Sequence, residues 1–215
     1  MSNVADRLNA ILEKLPQAVR LVAVSKFHPV ATLMEAYDAG QRIFGENRPQ
    51  ELAAKVPQMP ADVEWHFIGH LQTNKLKLVL PYVSLVQSVD SLHLLEAIDK
   101  WGSEHSRVIP VLLELHLGAE ETKQGFTADE IRAVLQHPYN NISIRGLMGM
   151  ATNTDDEAVI EADFSRIESL FHCLQADYPQ LTELSIGMSG DWPIAIRHSA
   201  TMVRIGTDLF GPREY

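Results

Sequence analysis

Short, almost continuously apolar runs alternate along this chain with segments whose apolar residues recur at helical spacing. We predict eight β-strands, at 20–26, 42–47, 64–69, 85–90, 108–117, 142–150, 183–188 and 202–207. Because apolar and polar residues do not alternate within these runs, the strands are expected to be covered on both faces, as in a parallel sheet. Each run is followed by a helical or short helix-like segment, so the pattern consists of eight βα units.

Eight βα units predict a protein of the α/β class, and the count favours a TIM-type (β/α)8 barrel over a doubly wound open sheet. Before the first strand, Leu8, Ile11 and Leu15 recur at helical spacing and Pro16 follows them. This segment is expected to form an extra N-terminal helix. Since the units take up nearly the whole length, residues 1–215 are expected to form a single domain.

The charge balance is acidic, with 18 Lys and Arg residues against 28 Asp and Glu residues and a formal net charge of −10 at pH 7. An acidic chain without a Lys/Arg cluster repels phosphate backbones, so we expect no nucleic-acid partner. No run approaches the roughly 20 apolar residues of a membrane span, and the N-terminal segment has no apolar signal-peptide core. We therefore expect no membrane association and a cytoplasmic location.

The single cysteine, Cys173, excludes an intrachain disulfide and a metal site built only from thiolates. It lies beside Leu170 and Leu174 in a predicted helix and is expected to be a small core residue. His66 and His70 fall on a strand and its loop, not on one helix face, so no metal site is expected. Four methionines are expected to pack inside the barrel: Met148, Met150, Met188 and Met202.

In such a barrel, function is found where the strands end and the βα loops begin. Lys26 ends the first predicted strand, in the run VAVSK. Over an apolar barrel, partial desolvation lowers the pKa of a lysine and makes its neutral amine available to form a Schiff base. The alternative is a lysine that merely reaches from the strand end into water.

Two loops near the end of the chain predict a phosphate site. Ser189 precedes one predicted helix, and Gly206 and Thr207 precede another. Free N–H groups at a helix N-terminus bind phosphate, and the loops after strands seven and eight are the recurrent phosphate site of this fold. The alternative is plain N-capping, by Ser189 or Asp191 in one loop and by Thr207 or Asp208 in the other.

Arg204 lies two residues before Gly206 in the last predicted strand and therefore shares its face. An arginine that points into a barrel needs an acceptor, because burying an unpaired charge is costly. A ligand heteroatom or a neighbouring carboxylate would supply one.

Seven short motifs occur in order along the chain: VAVSK, FGEN followed by Gln50-Glu51, WHFIG-x-LQTNK, SVDS, GLMGM, GMS-x-D, and TMVRIGT followed by FG. Together they resemble the pyridoxal-phosphate homeostasis protein family, formerly called the proline synthase co-transcribed family. The resemblance extends from about residue 4 to residue 213 without large gaps. It implies a fold type III barrel, similar to the N-terminal domain of alanine racemase, with an N-terminal helix.

The resemblance also implies the cofactor pyridoxal 5′-phosphate and the residues that would bind it. Lys26 would form the Schiff base, and Arg204 would face the pyridine nitrogen. Such a cation disfavours protonation of that nitrogen, which makes the ring a poorer electron sink. The remaining residues divide into a phosphate group, Ser189, Gly206 and Thr207, and a group near the ring, Asn47, His66 and Met188. None of these residues is assigned a catalytic role.

Two positions depart from the family pattern. Ser199 stands where the family usually has glycine, and a left-handed backbone at this position would strain serine but not glycine. Arg48-Pro49 after the GEN motif is also unusual, although Gln50 and Glu51 keep their places.

These features favour a binding protein that carries pyridoxal phosphate reversibly, regulates its free level and has no clear catalysis. Racemases and decarboxylases of this fold complete their sites with a second domain and a partner subunit, which this chain is not expected to supply. The expected partners are pyridoxal phosphate, small amines or amino acids, and transient client enzymes, with the chain itself a monomer. The alternatives are a pyridoxal-phosphate-dependent amino-acid racemase of low activity and a Schiff-base aldolase acting on a phosphorylated sugar.

Overall fold

The first and last strands of the chain lie side by side, which closes the sheet into a barrel. In the computed structural model, which describes residues 3–118 and 124–211, Val22 pairs with Arg204 across this closing contact. Within these residues, eight parallel strands follow one another around the barrel in chain order. They are β1 (Arg20–Val24), β2 (Ile43–Glu46), β3 (Glu64–Phe67), β4 (Leu85–Val89), β5 (Ile109–Leu115), β6 (Ile142–Gly149), β7 (Glu183–Met188) and β8 (Met202–Ile205). The predicted TIM-type barrel is confirmed, and the open sheet is wrong.

Helices follow the strands and cover the outside of the barrel. They are α1 (Val4–Leu12), α2 (Val30–Asp38), α3 (Pro49–Lys55), α4 (Leu76–Val79), α5 (Leu92–Glu104), α6 (Ala128–Gln136), α7 (Glu157–Asp177), α8 (Trp192–Arg197) and α9 (Thr207–Phe210). Short 3₁₀ turns occur at Val56–Gln58 and Thr73–Lys75. Among the described residues, no helix combines the length and the apolar character that crossing a membrane requires.

The extra N-terminal helix is also present. It begins after Asn3, whose side chain accepts the backbone N–H of Asp6 at 2.8 Å and so caps the first turn. The helix buries Val4, Leu8 and Ile11 and packs against α2 and α9. It therefore belongs to the outer layer of helices, between the first helix and the last helix of the βα units.

Apolar side chains fill two separate layers. The larger cluster lies between the strands and the helices. The smaller one lies inside the barrel and consists of Val22, Leu85, Leu112, Met148 and Met202, with Ile43 packed against it. Because side chains alternate along a strand, residues two positions further on from this inner layer point toward the carboxyl-terminal mouth of the barrel.

This layering corrects two of the predictions for methionine. Met148 and Met202 are buried as predicted, but Met150 and Met188 are 42% and 38% exposed. Met150 lies two residues beyond Met148 on the same face, and at that level no further layer of side chains covers it. Both exposed methionines line the cavity described below.

The prediction that Cys173 is a core residue is wrong, because its side chain is exposed. Helix α7 buries a stripe that includes Ile167, Leu170 and Leu174. Cys173 is a neighbour of this stripe along the chain, but it falls outside the stripe on the helix surface.

Except for β7, the strands are shorter at their carboxyl ends than the apolar runs predicted. β1 ends at Val24, so Lys26 lies in a turn two residues beyond the strand and not at its end. Asn47 follows β2 directly, and Ser189 follows β7 directly. The polar residues that end these runs thus belong to the loops at the barrel mouth.

Candidate functional site

A cavity of about 240 Å³ opens at the carboxyl-terminal mouth of the barrel. It brings together seven residues that were predicted for the site: Lys26, Asn47, Met188, Ser189, Arg204, Gly206 and Thr207. Val24, His28 and Ile68 complete much of its wall. A larger cavity of about 400 Å³ lies between α5 and α6, but none of the predicted site residues lines it.

Lys26 reaches the cavity from a tight turn. The backbone N–H of His28 donates to the backbone oxygen of Ser25 at 3.1 Å, so Lys26 is the second residue of this turn and Phe27 the third. Phe27 has a φ of 67°, which is typical of the third position of a type II turn, where glycine is favoured. A bulky residue in this conformation is unusual and places Lys26 on a strained piece of backbone.

The two predicted phosphate loops meet at the hydroxyl of Ser189. This oxygen accepts the backbone N–H of Gly206 at 3.3 Å and that of Asp208 at 3.4 Å. Donor groups at the start of α9 therefore already point at an oxygen from the other loop. A Cβ atom at Gly206 would lie 3.2 Å from Cβ of Val24, so glycine at this position allows the loop to lie close to the end of β1.

Neither helix is capped by the side chain of the residue that directly precedes it; among the described residues, the one capping group named in the alternative that contacts a helix start is the Ser189 hydroxyl, from the other loop. Asp191 precedes α8, but it makes no side-chain capping bond to that helix. Its Oδ1 instead accepts the backbone N–H of Met188 at 2.5 Å and so holds the loop that carries Ser189. No side chain next to α9 in the chain caps its start either, as far as the described residues show.

Arg204 forms the floor of the cavity and is almost completely buried. Its Nη1 donates to the backbone oxygen of Ser185 at 2.8 Å and to the Ser185 hydroxyl at 2.7 Å, and its Nη2 donates to the backbone oxygen of Gly149 at 3.0 Å. Burial lowers the pKa of Arg204 to about 10, although the carboxylates of Glu114 and Asp191 oppose the shift. The guanidinium is therefore still a cation at neutral pH.

His66, which the resemblance implies near the ring, is not among the residues that line this cavity. His66 is buried in the lower part of the barrel and lines a different space, together with Arg20, Glu64 and Glu183 at the starts of their strands. The physical reason is the two-residue alternation along β3, which puts Ile68 at the mouth in its place. His66 is nevertheless connected to the site, because it hydrogen-bonds to Gln87, which in turn bonds to Ser185 beneath Arg204.

Asn47 brings an unsatisfied polar atom to the cavity. Its Oδ1 is buried and has no hydrogen-bond partner among the described residues. The loop after β3 passes close to it at Gly69, where a Cβ atom would lie 2.2 Å from the backbone oxygen of Asn47. Only glycine leaves room for this contact, so Gly69 helps to place Asn47.

Sequence reasoning missed Glu114, the acid that lies on β5 inside the barrel, two residues beyond Leu112. Burial, followed by the charge of Asp90, raises its pKa to about 7. Asp90 is also hydrogen-bonded to His70, with Oδ2 of Asp90 2.9 Å from Nδ1 of His70. A single glutamate in the apolar run VLLEL was the signal that could have identified this group.

Comparison with known proteins decides the family. The family model described as "Alanine racemase, N-terminal domain" matches residues 1–214. A pyridoxal phosphate homeostasis protein from Vibrio alginolyticus is 37% identical over 209 residues, which cover 94% of this chain and 90% of that protein. This chain belongs to the pyridoxal phosphate homeostasis protein family. A pyridoxal phosphate homeostasis protein from Schizosaccharomyces pombe is 34% identical over 223 residues, and the match covers 99% of this chain and 94% of that protein.

Solved structures agree with this assignment. PipY of Synechococcus elongatus PCC7942, solved with PLP bound, is 40% identical, has a TM-score of 0.90 and covers 97% of this chain and 100% of its own chain. An alanine racemase from Clostridium difficile 630 has a TM-score of 0.77 and 14% identity, and 56% of its chain is covered. The second likeness establishes only that the homeostasis protein family and the racemase share a fold.

Within the homeostasis protein family, both departures have local structural consequences. Ser199 has a φ of 57°, so its backbone is left-handed, the case in which serine is strained, and its hydroxyl donates to Glu168 on α7 at 2.5 Å. Pro49 occupies the first position of α3, where its fixed φ suits a helix start. Arg48 places its guanidinium 4.3 Å from the ring centroid of Phe27, next to Lys26.

Proposed function

We propose that this chain binds pyridoxal 5′-phosphate reversibly, holds it as a Schiff base on Lys26 and acts as its carrier in homeostasis of the free cofactor. The observation that supports this proposal is the composition of one cavity. A lysine, a pair of loops rich in backbone donors and a buried arginine line the same space of about 240 Å³. The PLP-bound structure of PipY, which is 40% identical, supports the same ligand.

The residues present fit this cofactor in three places. The N–H groups of Gly206 and Asp208 converge on one oxygen, that of Ser189, and would hold a phosphate oxygen as well. The buried Oδ1 of Asn47, which has no partner among the described residues, would accept a donor from the ligand. Arg204 would lie beside the pyridine nitrogen as a fixed cation.

These side chains favour retention over catalysis. When bound, pyridoxal phosphate supplies an aldehyde carbon open to amines and a ring that withdraws electrons once its nitrogen is protonated. Arg204 would oppose that protonation, because a nearby positive charge disfavours a second one. Its guanidinium is held by Ser185 and Gly149, so it cannot move aside without losing three hydrogen bonds. A reversible carrier of the aldehyde is therefore a better description than an aminotransferase-like enzyme.

A second candidate function is an amino-acid racemase of low activity. The observation that favours it is the pairing of His70 with Asp90, which orients an imidazole that is about half exposed at the carboxyl end of β3. A carboxylate that fixes one ring nitrogen prepares the other to accept a proton.

The carrier proposal also includes a cytoplasmic location, a monomeric chain, small amines or amino acids as acceptors of the cofactor, and transient client enzymes.

The test is the visible absorption spectrum after addition of pyridoxal phosphate. We expect a violet-absorbing band in the wild type that borohydride bleaches, and no such band in Lys26→Ala. Lys100→Ala is the matched control, because the Lys100 side chain is 78% exposed on α5, and it should behave as the wild type. Mass spectrometry of the reduced protein should locate the added group on the peptide that contains Lys26.

Absence of the band in the wild type would show that the proposed attachment is wrong. To separate carrier from racemase, the loaded protein would be incubated with L-alanine. We expect no turnover above that of free pyridoxal phosphate, whereas faster conversion that is lost in His70→Gln would favour the racemase.

A further inference from the structure

A buried ionic cluster holds the turn that carries Lys26. Lys55, the last residue of α3, donates from Nζ to Glu46 Oε1 at 2.5 Å, to Glu51 Oε2 at 3.1 Å and to the backbone oxygen of Ser25 at 2.8 Å. The Ser25 hydroxyl donates to the same oxygen of Glu46 at 2.7 Å. We call Ser25, Glu46, Glu51 and Lys55 the Lys55 cluster. None of its members is among the residues that line the cavity.

The Lys55 cluster bonds to the backbone on both sides of Lys26. Before Lys26, the backbone oxygen of Ser25 accepts from Lys55. After it, the backbone N–H of Phe27 donates to Glu51 Oε2 at 2.9 Å. Because Glu51 Oε2 also accepts from Lys55, one carboxylate connects the two anchors. The peptide groups that flank Lys26 are thus fixed to α3 while the Lys26 side chain lines the cavity.

The conformation of Phe27 explains why the turn needs this support. Its φ of 67° lies in the left-handed region, which L-residues other than glycine, asparagine and aspartate seldom adopt. Such a conformation persists only where the surrounding contacts determine it, and it tends to occur at functional sites. Such contacts include that of the Glu51 carboxylate with the Phe27 N–H and that of the Arg48 guanidinium with the Phe27 ring.

The burial of Glu46 shows that the cluster is not a surface ion pair. Glu46 is completely buried, and burial raises the pKa of its carboxyl, although the Lys55 ammonium opposes the shift. Glu46 Oε2 has no partner among the described residues. A buried carboxylate that is only partly satisfied is costly. This unfavourable burial of Glu46 occurs next to the turn that carries Lys26.

We propose that Glu51, supported by Glu46 and Lys55, is a positioning residue that directs the Lys26 amine into the cavity. The Lys55 cluster does so by holding the turn at residues 25–28 with Phe27 in the left-handed conformation. This inference rests on the proposed attachment of pyridoxal phosphate to Lys26. It assigns a role to Glu51 of the Gln50-Glu51 motif, for which the family resemblance implies none.

The experiment compares Glu51→Ala with Glu130→Ala. Glu130 is the matched control, because it too lies in the first turn of a helix and accepts a backbone N–H, that of Thr127 at 2.8 Å. Each protein is titrated with pyridoxal phosphate, followed by the violet band and by the rate of borohydride trapping. Amide hydrogen exchange at Phe27 is measured in parallel on the protein without added cofactor.

We expect Glu51→Ala to bind pyridoxal phosphate about tenfold more weakly and to be trapped more slowly, as for the loss of a hydrogen bond to a charged acceptor. The Phe27 amide should exchange faster in this variant. Glu51→Gln, which keeps an acceptor for that amide, should stay within about threefold of the wild type. Phe27→Gly should restore part of the affinity in the Glu51→Ala background, because glycine adopts the left-handed conformation without strain.

Wild-type affinity and trapping in Glu51→Ala would overturn the inference, as would a loss that Phe27→Gly leaves unchanged. A wild type that forms no band would instead refute the proposed function itself, so the two failures are distinct. If Glu51→Ala does not fold, Arg48→Met carries the test, because the Arg48 side chain is 59% exposed and its loss keeps the bonds that Lys55 makes, while it removes the ring contact with Phe27 and the 3.5 Å contact with Glu51 Oε1. We expect about threefold weaker binding from the lost ring contact, and unchanged affinity would overturn the inference.

Discussion

Gln87 donates a hydrogen bond from its Nε2 to Nδ1 of His66 at 2.8 Å. The direction follows from the other end of the amide, because Oε1 of Gln87 accepts from the Ser185 hydroxyl at 2.6 Å. Ser185 in turn accepts from Arg204. Burial and the charge of Arg20 lower the pKa of His66 to about 3, so the imidazole is neutral and can be the final acceptor. A one-way chain of donors thus runs from the cavity floor into the lower barrel.

This series of hydrogen bonds predicts that Gln87→Leu destabilises the protein. The substitution leaves the Ser185 hydroxyl and His66 Nδ1 buried without their partner, and each lost bond to a buried polar group is costly. We expect a decrease of about 2 kcal/mol in the free energy of unfolding, measured by urea denaturation. Gln58→Leu is the control, because Gln58 also donates through its amide but is exposed, and it should change the stability by less than about 0.5 kcal/mol. Equal stability of the two variants would contradict the prediction.

Gly69→Ala should disturb the cavity wall. A Cβ atom at this position would lie 2.2 Å from a backbone oxygen of Asn47, so the backbone itself would have to move. We expect a loss of about 1–3 kcal/mol in the free energy of unfolding, together with weaker binding of pyridoxal phosphate. Gly190→Ala is the stability control, because a Cβ atom there would meet nothing within 4 Å. If both alanines are tolerated equally in thermal denaturation, the close approach is not a constraint.

The fold and the meeting of polar side chains at the strand ends could be predicted because they follow local rules. Eight apolar runs specify eight strands, and a parallel barrel brings their carboxyl ends together, which places Lys26 and Arg204 in one cavity. The position of His66 could not be predicted in the same way, because it depends on which residue of β3 reaches the mouth. The bonds from Gln87 to Ser185 and from Lys55 to Glu46 link residues on different elements and have no signature in spacing.

His198 connects the end of α8 to α7. Its Nδ1 contacts Glu168 at 2.9 Å, and its Nε2 makes a short contact with Glu161. Burial lowers the pKa of the imidazole, but the hydrogen bonds with the two carboxylates outweigh burial, and the pKa is raised overall. Hydrogen bonds from Arg197 and His198 lower the pKa of Glu161.

The stabilisation that His198 provides should therefore depend on pH. A raised histidine pKa contributes fully below the ordinary value of 6.5 and is lost as the pH rises through the folded value. The lowered pKa of Glu161 contributes above the ordinary value of 4.5 and is lost as the pH falls through its folded value. We expect His198→Gln to destabilise most between about pH 4.5 and 6.5 and less at about pH 9. Urea denaturation tests this, with exposed His93→Gln as the control, and a difference independent of pH would contradict it.

Glu114 should make the stability fall as the pH rises toward neutrality. Burial, followed by the charge of Asp90, raises its pKa from 4.5 to about 7, so between these values the folded protein keeps a proton that the unfolded chain has lost. Glu114→Gln removes this titration. The free energy of unfolding of this variant, taken relative to that of the wild type, should therefore be greater at about pH 8 than at pH 4.5, by as much as about 3 kcal/mol. Glu104→Gln, at an exposed end of α5, should follow the wild-type profile in urea denaturation. Parallel profiles for Glu114→Gln and the wild type would mean that Glu114 is already ionised in the folded protein well below neutrality.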